Sequence, residues 1–151
     1  LPSSKNAQEN MTKVHSCAQY IRLFEELSVE RIDGIEHFVS TDVKFKDPFN
    51  EISGLESFRR LLVKMLDDVK GLRFEVTHRA WTEDVLFLRW SLHGKVKGLN
   101  WEIQGMSEIN FNEQGLVCQH IDHWDAAEQF YEKLPLIGTI LRIIKRQLKV
   151  S

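Results

Sequence analysis

The sequence lacks the features that mark a secreted, membrane-spanning or disulfide-stabilised protein. No apolar run approaches the roughly 20 residues that a membrane-spanning helix needs. The polar start, residues 1–11, lacks the apolar stretch of a signal peptide. The two cysteines, Cys17 and Cys118, form neither a CxxC motif nor a disulfide framework. These absences predict a cytoplasmic protein whose two thiols are buried and reduced.

An excess of charge of one sign is also lacking. The 20 basic and 22 acidic side chains give a net charge of -2, which offers no general attraction to nucleic acid. With 151 residues, the chain is long enough for one domain with a real core and too short for two. We therefore predict a disordered tail over residues 1–11 and a single domain over residues 12–151.

The first half of the chain contains apolar spacing that is typical of helices. The predicted helices cover residues 17–27, 32–39 and a third stretch that runs from a capping box at 53–56 to Gly71. Between the second and third helices, residues 43–46 alternate as a short strand. Asp47-Pro48 ends this strand, because proline cannot donate a hydrogen bond to a strand ladder.

After Gly71 the hydrophobic period changes from 3.6 to 2, which is typical of strands. Four alternating runs, separated by turn residues, cover residues 72–77, 86–92, 101–111 and 117–124. Long strands joined by short turns predict an antiparallel meander, and helices followed by strands indicate an α+β fold. The chain returns to helix at 125–133, with Asp125 as N-cap, and at Leu136–Lys149.

The first candidate site residue is Asp47, which stands at a strand end between Phe45 and Phe49. Facing a water-poor cavity, its carboxyl group would have a raised pKa and could serve as a general base. The alternative is a turn, because Asp-Pro is a common turn pair whose carboxylate accepts backbone N–H groups. The residues alone favour the turn.

The second candidate is the end of the last strand, where His120, Asp122 and Trp124 share one face. A titratable pair beside an apolar wall suits acid–base chemistry or the binding of a polar ligand group. A metal site is weaker, since no third ligand is predicted nearby. The structural alternative is a buried polar pair that joins two strands. We favour function, because a carboxylate on an inward strand face is costly without a partner or a purpose.

Two further features have both a functional and a structural interpretation. Trp90, Trp101 and Trp124 lie in the phase of the apolar strand face, so they are either walls of a ligand cavity or ordinary core. The tail helix Leu136–Lys149 carries an apolar stripe flanked by basic side chains. We expect it to pack over the mouth of the domain or at a dimer seam, and we rank contact with an anionic membrane below packing.

The ordered set of elements resembles the SnoaL-like and ketosteroid-isomerase-like superfamily, which shares the nuclear transport factor 2 fold. The resemblance runs from about Cys17 to Lys133. The resemblance rests on four segments: residues 31–35, residues 42–49, Gly54 at the start of the next helix, and a closing strand that ends in residues 120–124. It implies a cone, in which N-terminal helices pack against a curved antiparallel sheet around a pocket, with Leu136–Lys149 as an additional amphipathic helix.

The resemblance also implies roles for single residues. Asp47 stands where ketosteroid isomerases place their proton-shuttling aspartate. The two oxyanion-hole donors of those enzymes are absent from the matching positions. Leu23 stands where they have a tyrosine, and Tyr20 lies one turn earlier. Ser107 stands where they have a protonated aspartate. The resemblance therefore argues against steroid isomerisation, because such donors are usually the largest catalytic term.

In the SnoaL-like branch a pocket His or Asp acts as acid–base, and His120 and Asp122 occupy those positions. The resemblance thus implies binding of a small apolar molecule, with proton transfer (isomerisation, cyclisation or hydration) that needs no cofactor and no metal. The predicted catalytic residues are Asp47, His120 and Asp122, and the predicted ligand contacts are Tyr20, Phe49, Trp90, Trp101, Ser107 and Trp124.

Two other functions stay open at this point, because the fold hosts enzymes and binders alike. One is a non-catalytic ligand-binding or accessory protein of the same fold. The other is an epoxide-hydrolase-like hydrolase, which would need an arginine to bridge Asp47 and Asp122. All of these fit a homodimer, since an exposed sheet face with aromatics is a natural self-association surface. An enzyme predicts that Asp47, His120 and Asp122 open into one cavity.

Overall fold

The structure, a computed structural model, describes residues 4–149. Its elements in chain order are α1 (Ser4–Glu25), α2 (Val29–Asp33), a 3-10 turn (Ile35–His37), β1 (Val39–Lys46), β2 (Glu51–Ser53), α3 (Leu55–Asp68), β3 (Lys70–Thr82), β4 (Val85–Val96), β5 (Leu99–Phe111), β6 (Val117–His123), α4 (Ala126–Gln129), a second 3-10 turn (Tyr131–Lys133) and α5 (Pro135–Leu148). The strands form one curved sheet in the order β2-β1-β6-β5-β4-β3. The predicted α+β cone is confirmed.

The core lies between the helices and the inward face of the sheet. Its fully buried side chains include Tyr20 and Leu23 of α1, Phe58 and Leu62 of α3, and Leu86, Ile109 and Val117 of the strands. Phe58 and Leu62 are one helical turn apart, so α3 turns a single apolar stripe to the sheet. Burying a side chain of this size contributes about 1.5–3 kcal/mol, and these contacts hold the helices on the sheet.

The predicted strand parity is confirmed on β5. Ile103, Ser107 and Ile109 are buried, whereas Gln104 and Met106, which point the other way, are exposed. This parity positions the candidate site, because it decides which side chains of β5 and β6 face the helices.

The meander is antiparallel from β3 to β6, but the sheet as a whole is mixed. β1 pairs parallel with β6, with Phe45 opposite His120, and β2 pairs antiparallel with β1. A parallel pair requires a crossover connection, which α3 and the meander supply. This pairing places β1, the first strand of the chain, beside β6, the last.

Helix boundaries differ from the sequence-based expectation at several places, and the helix predicted over residues 32–39 is wrong, since α2 ends at Asp33 and β1 begins at Val39. Residues 4–11, predicted as a tail, continue α1, in keeping with the good helix formers among them; residues 1–3 lie outside the described part. The capping box at 53–56 is wrong: Gly54 is the N-cap, without a side-chain cap, and its φ of 92° allows the chain to turn from β2 into α3. Gly71 does not end α3 but lies within β3.

Other features of the chain agree with its composition. Both cysteines are free, Cys17 buried and Cys118 half-buried, and burial raises the pKa of each thiol. None of the helices between Ser4 and Lys149 combines the length and hydrophobicity that crossing a bilayer requires. Homodimer formation stays a prediction.

Replacing Phe58 by alanine tests the packing of α3. Phe58 is fully buried and stacks near Tyr20 and Phe45, at centroid distances of 6.4 and 5.6 Å. We expect Phe58→Ala to lower the free energy of unfolding by about 3–5 kcal/mol in urea denaturation. The matched control is Val63→Ala on the outer side of the same helix, where the side chain is 40% exposed and the loss should stay near 0.5 kcal/mol. Equal losses would contradict this packing.

Candidate functional site

Five polar side chains of the interior form one continuous set of hydrogen bonds, here called the polar network. Trp90 Nε1–H donates to Ser107 Oγ over 2.8 Å, and Ser107 Oγ–H donates to Asp122 Oδ1 over 2.5 Å. His120 Nε2 lies 2.5 Å from the same Oδ1. His120 Nδ1 lies 2.6 Å from Tyr20 Oη, so the network joins α1 to three strands.

Sheet register places most of the network. Ser107 lies directly opposite Asp122 in the β5–β6 pair, and His120 precedes Asp122 by two residues on the same face. Trp90 comes from β4, the neighbour of β5 on its other side. Tyr20 arrives from α1, whose buried stripe packs onto this face of the sheet.

The network is closed to solvent except at one member. Tyr20, Ser107, His120 and Trp90 are between 0% and 4% exposed, whereas the side chain of Asp122 is 17% exposed. Asp122 Oδ1 receives both hydrogen bonds, and Oδ2 accepts none from the rest of residues 4–149. Asp122 Oδ2 is therefore the atom through which this network can meet a ligand.

The contacts of His120 determine its tautomer. A carboxylate can only accept, so His120 Nε2 carries the proton and donates to Asp122 Oδ1. His120 Nδ1 is then the acceptor for the Tyr20 hydroxyl, which is fully buried. This assignment follows from the hydrogen-bond network, as it does for any histidine whose protons are not observed.

Aromatic rings surround the imidazole of His120. Its ring centroid lies 4.8 Å from that of Phe45 and 5.6 Å from those of Phe24 and Tyr20. These walls exclude water, so the hydrogen bonds of His120 act in a medium of low dielectric constant, where they are electrostatically stronger than in water.

Tyr20 remains protonated in this environment. Burial raises the pKa of its phenol well above the ordinary value, and the negative charge of Asp122 adds to the rise. Tyr20 is therefore a permanent hydrogen-bond donor to His120 at physiological pH, and it holds the imidazole in place rather than exchanging protons.

Asp47 lies outside the polar network. Its Oδ1 accepts hydrogen bonds from the backbone N–H groups of Phe49 and Asn50, at 2.7 and 2.6 Å, and the side-chain amide of Asn50 bonds both carboxylate oxygens at 3.1 Å. These contacts close a turn after β1 and favour the turn interpretation of Asp47. Its role as a general base stays a prediction.

A second group of residues, here called the aromatic cap, covers the end of the sheet beyond Asp122. It consists of Phe49, Trp101, Trp124, Phe130 and Tyr131. Phe49 lies 5.3 Å from Trp124 and 5.0 Å from Phe130, and Trp101 lies 4.5 Å from Phe130, all between ring centroids and in edge-to-face geometry. Such pairs are favourable contacts for aromatic rings. The segment after β6 thus closes over this end of the sheet.

Five surface grooves on residues 4–149 have volumes of about 390 to 660 Å³, and neither Asp47, His120 nor Asp122 lines any of these five. None of the five therefore joins the three residues, as an enzyme was expected to do. Among the described residues, no group of three or more His, Cys, Asp or Glu side chains could hold a metal ion.

Comparison with known families places the chain. The family model described as a SnoaL-like domain matches residues 20–120, about two thirds of the sequence. The chain belongs to the SnoaL-like domain family. The match extends from Tyr20 to His120, the two residues that hydrogen-bond across the core, and it ends before α4 and α5. No curated protein matches the SnoaL-like chain significantly.

Solved structures support the same fold at low sequence identity. An epoxide hydrolase of the LEH-like type from Mycobacterium tuberculosis is 14% identical, covers 89% of this chain and 97% of its own, and gives a TM-score of 0.65. A proposed SnoaL-like polyketide cyclase from Jannaschia sp. CCS1 is 13% identical over 78% of this chain and 88% of its own, with a TM-score of 0.66. A nuclear transport factor 2-like protein of unknown function from Exiguobacterium sp. 255-15 is 16% identical, over 73% and 98%, with a TM-score of 0.64.

The structure brings most of the sequence-predicted site residues of this SnoaL-like domain into two groups. His120, Asp122, Ser107, Trp90 and Tyr20 form the polar network, and Phe49, Trp101 and Trp124 belong to the aromatic cap. Sequence reasoning missed Phe130 and Tyr131 of the cap. The only signal for them was a pair of adjacent aromatics just after the closing strand.

Gly105 supports the network by leaving room for the indole of Trp90. A Cβ at Gly105 would lie 2.5 Å from Trp90 Cζ2, so alanine must displace the ring that donates to Ser107. We expect Gly105→Ala to lower the free energy of unfolding by about 1–3 kcal/mol in urea denaturation. Gly34→Ala is the control, since its Cβ would meet nothing closer than 3.9 Å. A Gly105→Ala protein as stable as wild type would contradict this packing.

Tyr20 should make the stability depend on alkaline pH. The folded state holds its pKa above the ordinary value of 10.0, so the stabilisation is fully present below about pH 10 and is lost as the pH rises beyond it. Above that pH the difference between wild type and Tyr20→Phe should shrink by about 1.4 kcal/mol per pH unit. Urea denaturation at increasing pH measures this. Tyr131→Phe is the control and should keep the wild-type slope; a Tyr20→Phe slope equal to wild type would refute the assignment.

Proposed function

We propose that the protein binds a small apolar molecule that carries one polar group, and that Asp122 transfers a proton to or from it without a cofactor. The observation that carries this proposal is the polar network, in which four members are buried and only Asp122 has an unengaged oxygen within reach of solvent. A single acceptor at the end of a fixed and dry set of hydrogen bonds suits general acid–base chemistry.

The network positions Asp122 for this task. Ser107 and His120 both donate to Oδ1, which fixes the orientation of the carboxylate and directs its charge, while Oδ2 is left to act as the base. Oδ2 would take a proton from a carbon next to the polar group of the substrate. The same oxygen would then return the proton to another atom of that substrate, which completes an isomerisation or ring closure with no net change in the enzyme.

His120 serves this chemistry as a positioning residue. Its imidazole donates to Asp122 and is itself held by Tyr20, so the arrangement resembles other active sites in which a third group orients the donor of a catalytic pair. The phenol of Tyr20 stays protonated and continues to hold the imidazole.

The aromatic cap includes Trp124, two residues after Asp122 in the chain. Phe49 is 46% exposed and makes edge-to-face contacts with cap residues from two other elements, so the cap is built from side chains at the surface. An apolar ligand that displaces these rings would restore the lost contacts with its own surface. The aromatic walls suit a compact apolar molecule rather than a sugar or a nucleotide.

The similar structures include proposed proton-transfer enzymes and a hydrolase, so the choice between these reactions depends on the residues of the site. Similar structures include a proposed polyketide cyclase and a proposed isomerase of the SnoaL-like family from Agrobacterium tumefaciens. The epoxide-hydrolase alternative needs an arginine between two aspartates. Within residues 4–149, the carboxylates of Asp47 and Asp122 have no arginine among their hydrogen-bond partners.

Non-catalytic ligand binding is the second candidate, and one observation favours it. Every member of the polar network already has a partner in the protein, and the grooves described on the surface are lined by other residues. A network of this kind can simply stabilise a core. The two candidates differ in whether Asp122 moves a proton of a bound molecule.

The test is deuterium exchange on 2-tetralone, a compact apolar ketone with exchangeable protons beside its carbonyl group. Proton NMR in D₂O should show faster exchange with the wild-type protein than with buffer. Because general base catalysis contributes about 100-fold or more, Asp122→Asn should reduce the protein-dependent rate by about that factor. Asp47→Asn is the matched control, and it should keep the wild-type rate if Asp47 belongs to the turn.

Binding is measured in the same samples from ligand line broadening. Broadening of 2-tetralone without protein-dependent exchange supports the non-catalytic candidate and refutes the catalytic one. Exchange that Asp122→Asn leaves unchanged refutes the role of Asp122. If 2-tetralone neither binds nor exchanges, the proposed apolar ketone-sized site is wrong.

A further inference from the structure

Helix α5 is attached to the domain through its polar side. A Cβ at Gly138 would lie only 2.2 Å from the backbone carbonyl oxygen of Glu132, so the helix touches the preceding turn at a residue without a side chain. One helical turn later, Arg142 Nη1 donates to the same carbonyl over 2.6 Å. Lys145 then pairs with Glu128 and Glu132 at 3.0 and 3.4 Å. These three positions lie on one face of the helix.

The opposite face of α5 is apolar and exposed. Its residues are Leu136, Ile137, Ile140, Ile143, Ile144 and Leu148, and each is between 48% and 82% exposed. Their spacing follows the helical period, so they form one continuous stripe rather than scattered surface residues. The expectation that this stripe packs over the mouth of the domain is wrong, because the stripe turns away from the domain, and a dimer seam stays a prediction. An amphipathic helix of a globular core normally shows the reverse orientation.

Charge is distributed unequally between α5 and the rest of the chain. All 22 acidic side chains precede Lys133, whereas five of the 20 basic ones lie in residues 133–149. These five are Lys133, Arg142, Lys145, Arg146 and Lys149. The segment therefore carries a charge of +5 and the rest of the sequence a charge of -7, so the segment attracts anions that the domain repels.

We propose that α5 lies on the surface of an anionic phospholipid bilayer, with its apolar stripe among the acyl chains and the basic residues that the domain does not engage at the headgroups. The 14 residues of α5 form a rod of about 21 Å, shorter than the roughly 30 Å hydrocarbon core, so the helix lies in the interface and does not cross it. A large apolar face, basic flanks and no acidic side chain are the properties of helices that bind such surfaces.

Charge favours the bilayer over a second copy of this chain as the occupant of the stripe. Two α5 helices packed through their stripes would bring two helices without an acidic side chain side by side, and the basic residues that do not pair with Glu128 or Glu132 would oppose that arrangement. An anionic bilayer provides an apolar phase for the stripe, and negative charge for Arg146 beside the stripe and for Lys149 at the end of the helix. This inference does not depend on the proposed function of the polar network.

The experiment is co-sedimentation of the full chain with vesicles of phosphatidylcholine alone and of phosphatidylcholine mixed with an equal amount of phosphatidylglycerol. We expect binding to be about tenfold or more tighter to the mixed vesicles and to weaken as salt is added. The double variant Ile140→Glu and Ile144→Glu should lose binding to both. The matched control is Met11→Glu with Val14→Glu, which adds the same charge at exposed apolar positions of α1 and should bind as wild type.

A reporter variant keeps the test decisive if the glutamate variant misfolds. Ile140→Trp places an indole on the stripe, and its fluorescence should shift to shorter wavelength with mixed vesicles and stay unchanged with phosphatidylcholine alone. Wild-type protein that fails to bind the mixed vesicles overturns the proposal, as does equal binding by the glutamate variant. Light scattering gives a further outcome. If the wild type does not bind vesicles and the molar mass falls from dimer to monomer in the glutamate variant, the stripe is a contact between copies.

Discussion

A histidine enclosed by aromatic rings must have both ring nitrogens hydrogen-bonded, and this requirement organises the centre of the molecule. His120 Nδ1 requires Tyr20, which fixes how α1 sits on the sheet, and Nε2 requires Asp122, which is in turn held by Ser107. An unpaired buried group costs about 1–3 kcal/mol, a large share of the 5–15 kcal/mol by which a domain is stable. A slip of one residue in β6 would turn these side chains to the outer face, so the network also selects the strand register.

Much of this arrangement could be predicted from the sequence, because strand parity depends only on local alternation. Parity alone places His120, Asp122 and Ser107 on the inward face, and the structure shows them there. It could not predict the bond from Tyr20 to His120, since nothing local relates residues that are 100 positions apart in the chain. The role of Asp47 could not be decided from the sequence, because its carboxylate could act as a general base or accept hydrogen bonds from backbone N–H groups of a turn. The structure shows the second kind of partner.

The contacts that stabilise the core leave one oxygen of Asp122 without a protein donor within residues 4–149. Hydrogen bonds are usually shared among the oxygens of a buried carboxylate, but here both donors reach Oδ1 of Asp122. The side chain of Asp122 is 17% exposed, so Oδ2 meets solvent rather than a protein donor. A ligand that brings a donor to this oxygen would replace that solvent, which connects the arrangement of the core to the binding of a partner molecule.

The part of the chain beyond the family match joins the covering of the site to its outermost helix. Phe130 and Tyr131 close the aromatic cap, and the carbonyl of the next residue, Glu132, receives the contacts of both Gly138 and Arg142 from α5. No flexible linker separates the cap from α5, because Pro135 begins the helix directly after the turn. A surface that binds the exposed stripe of α5 would therefore act within a few residues of Phe130 and Tyr131. The segment after β6 thus joins the aromatic cap to α5, whereas every member of the polar network belongs to α1 or to the strands.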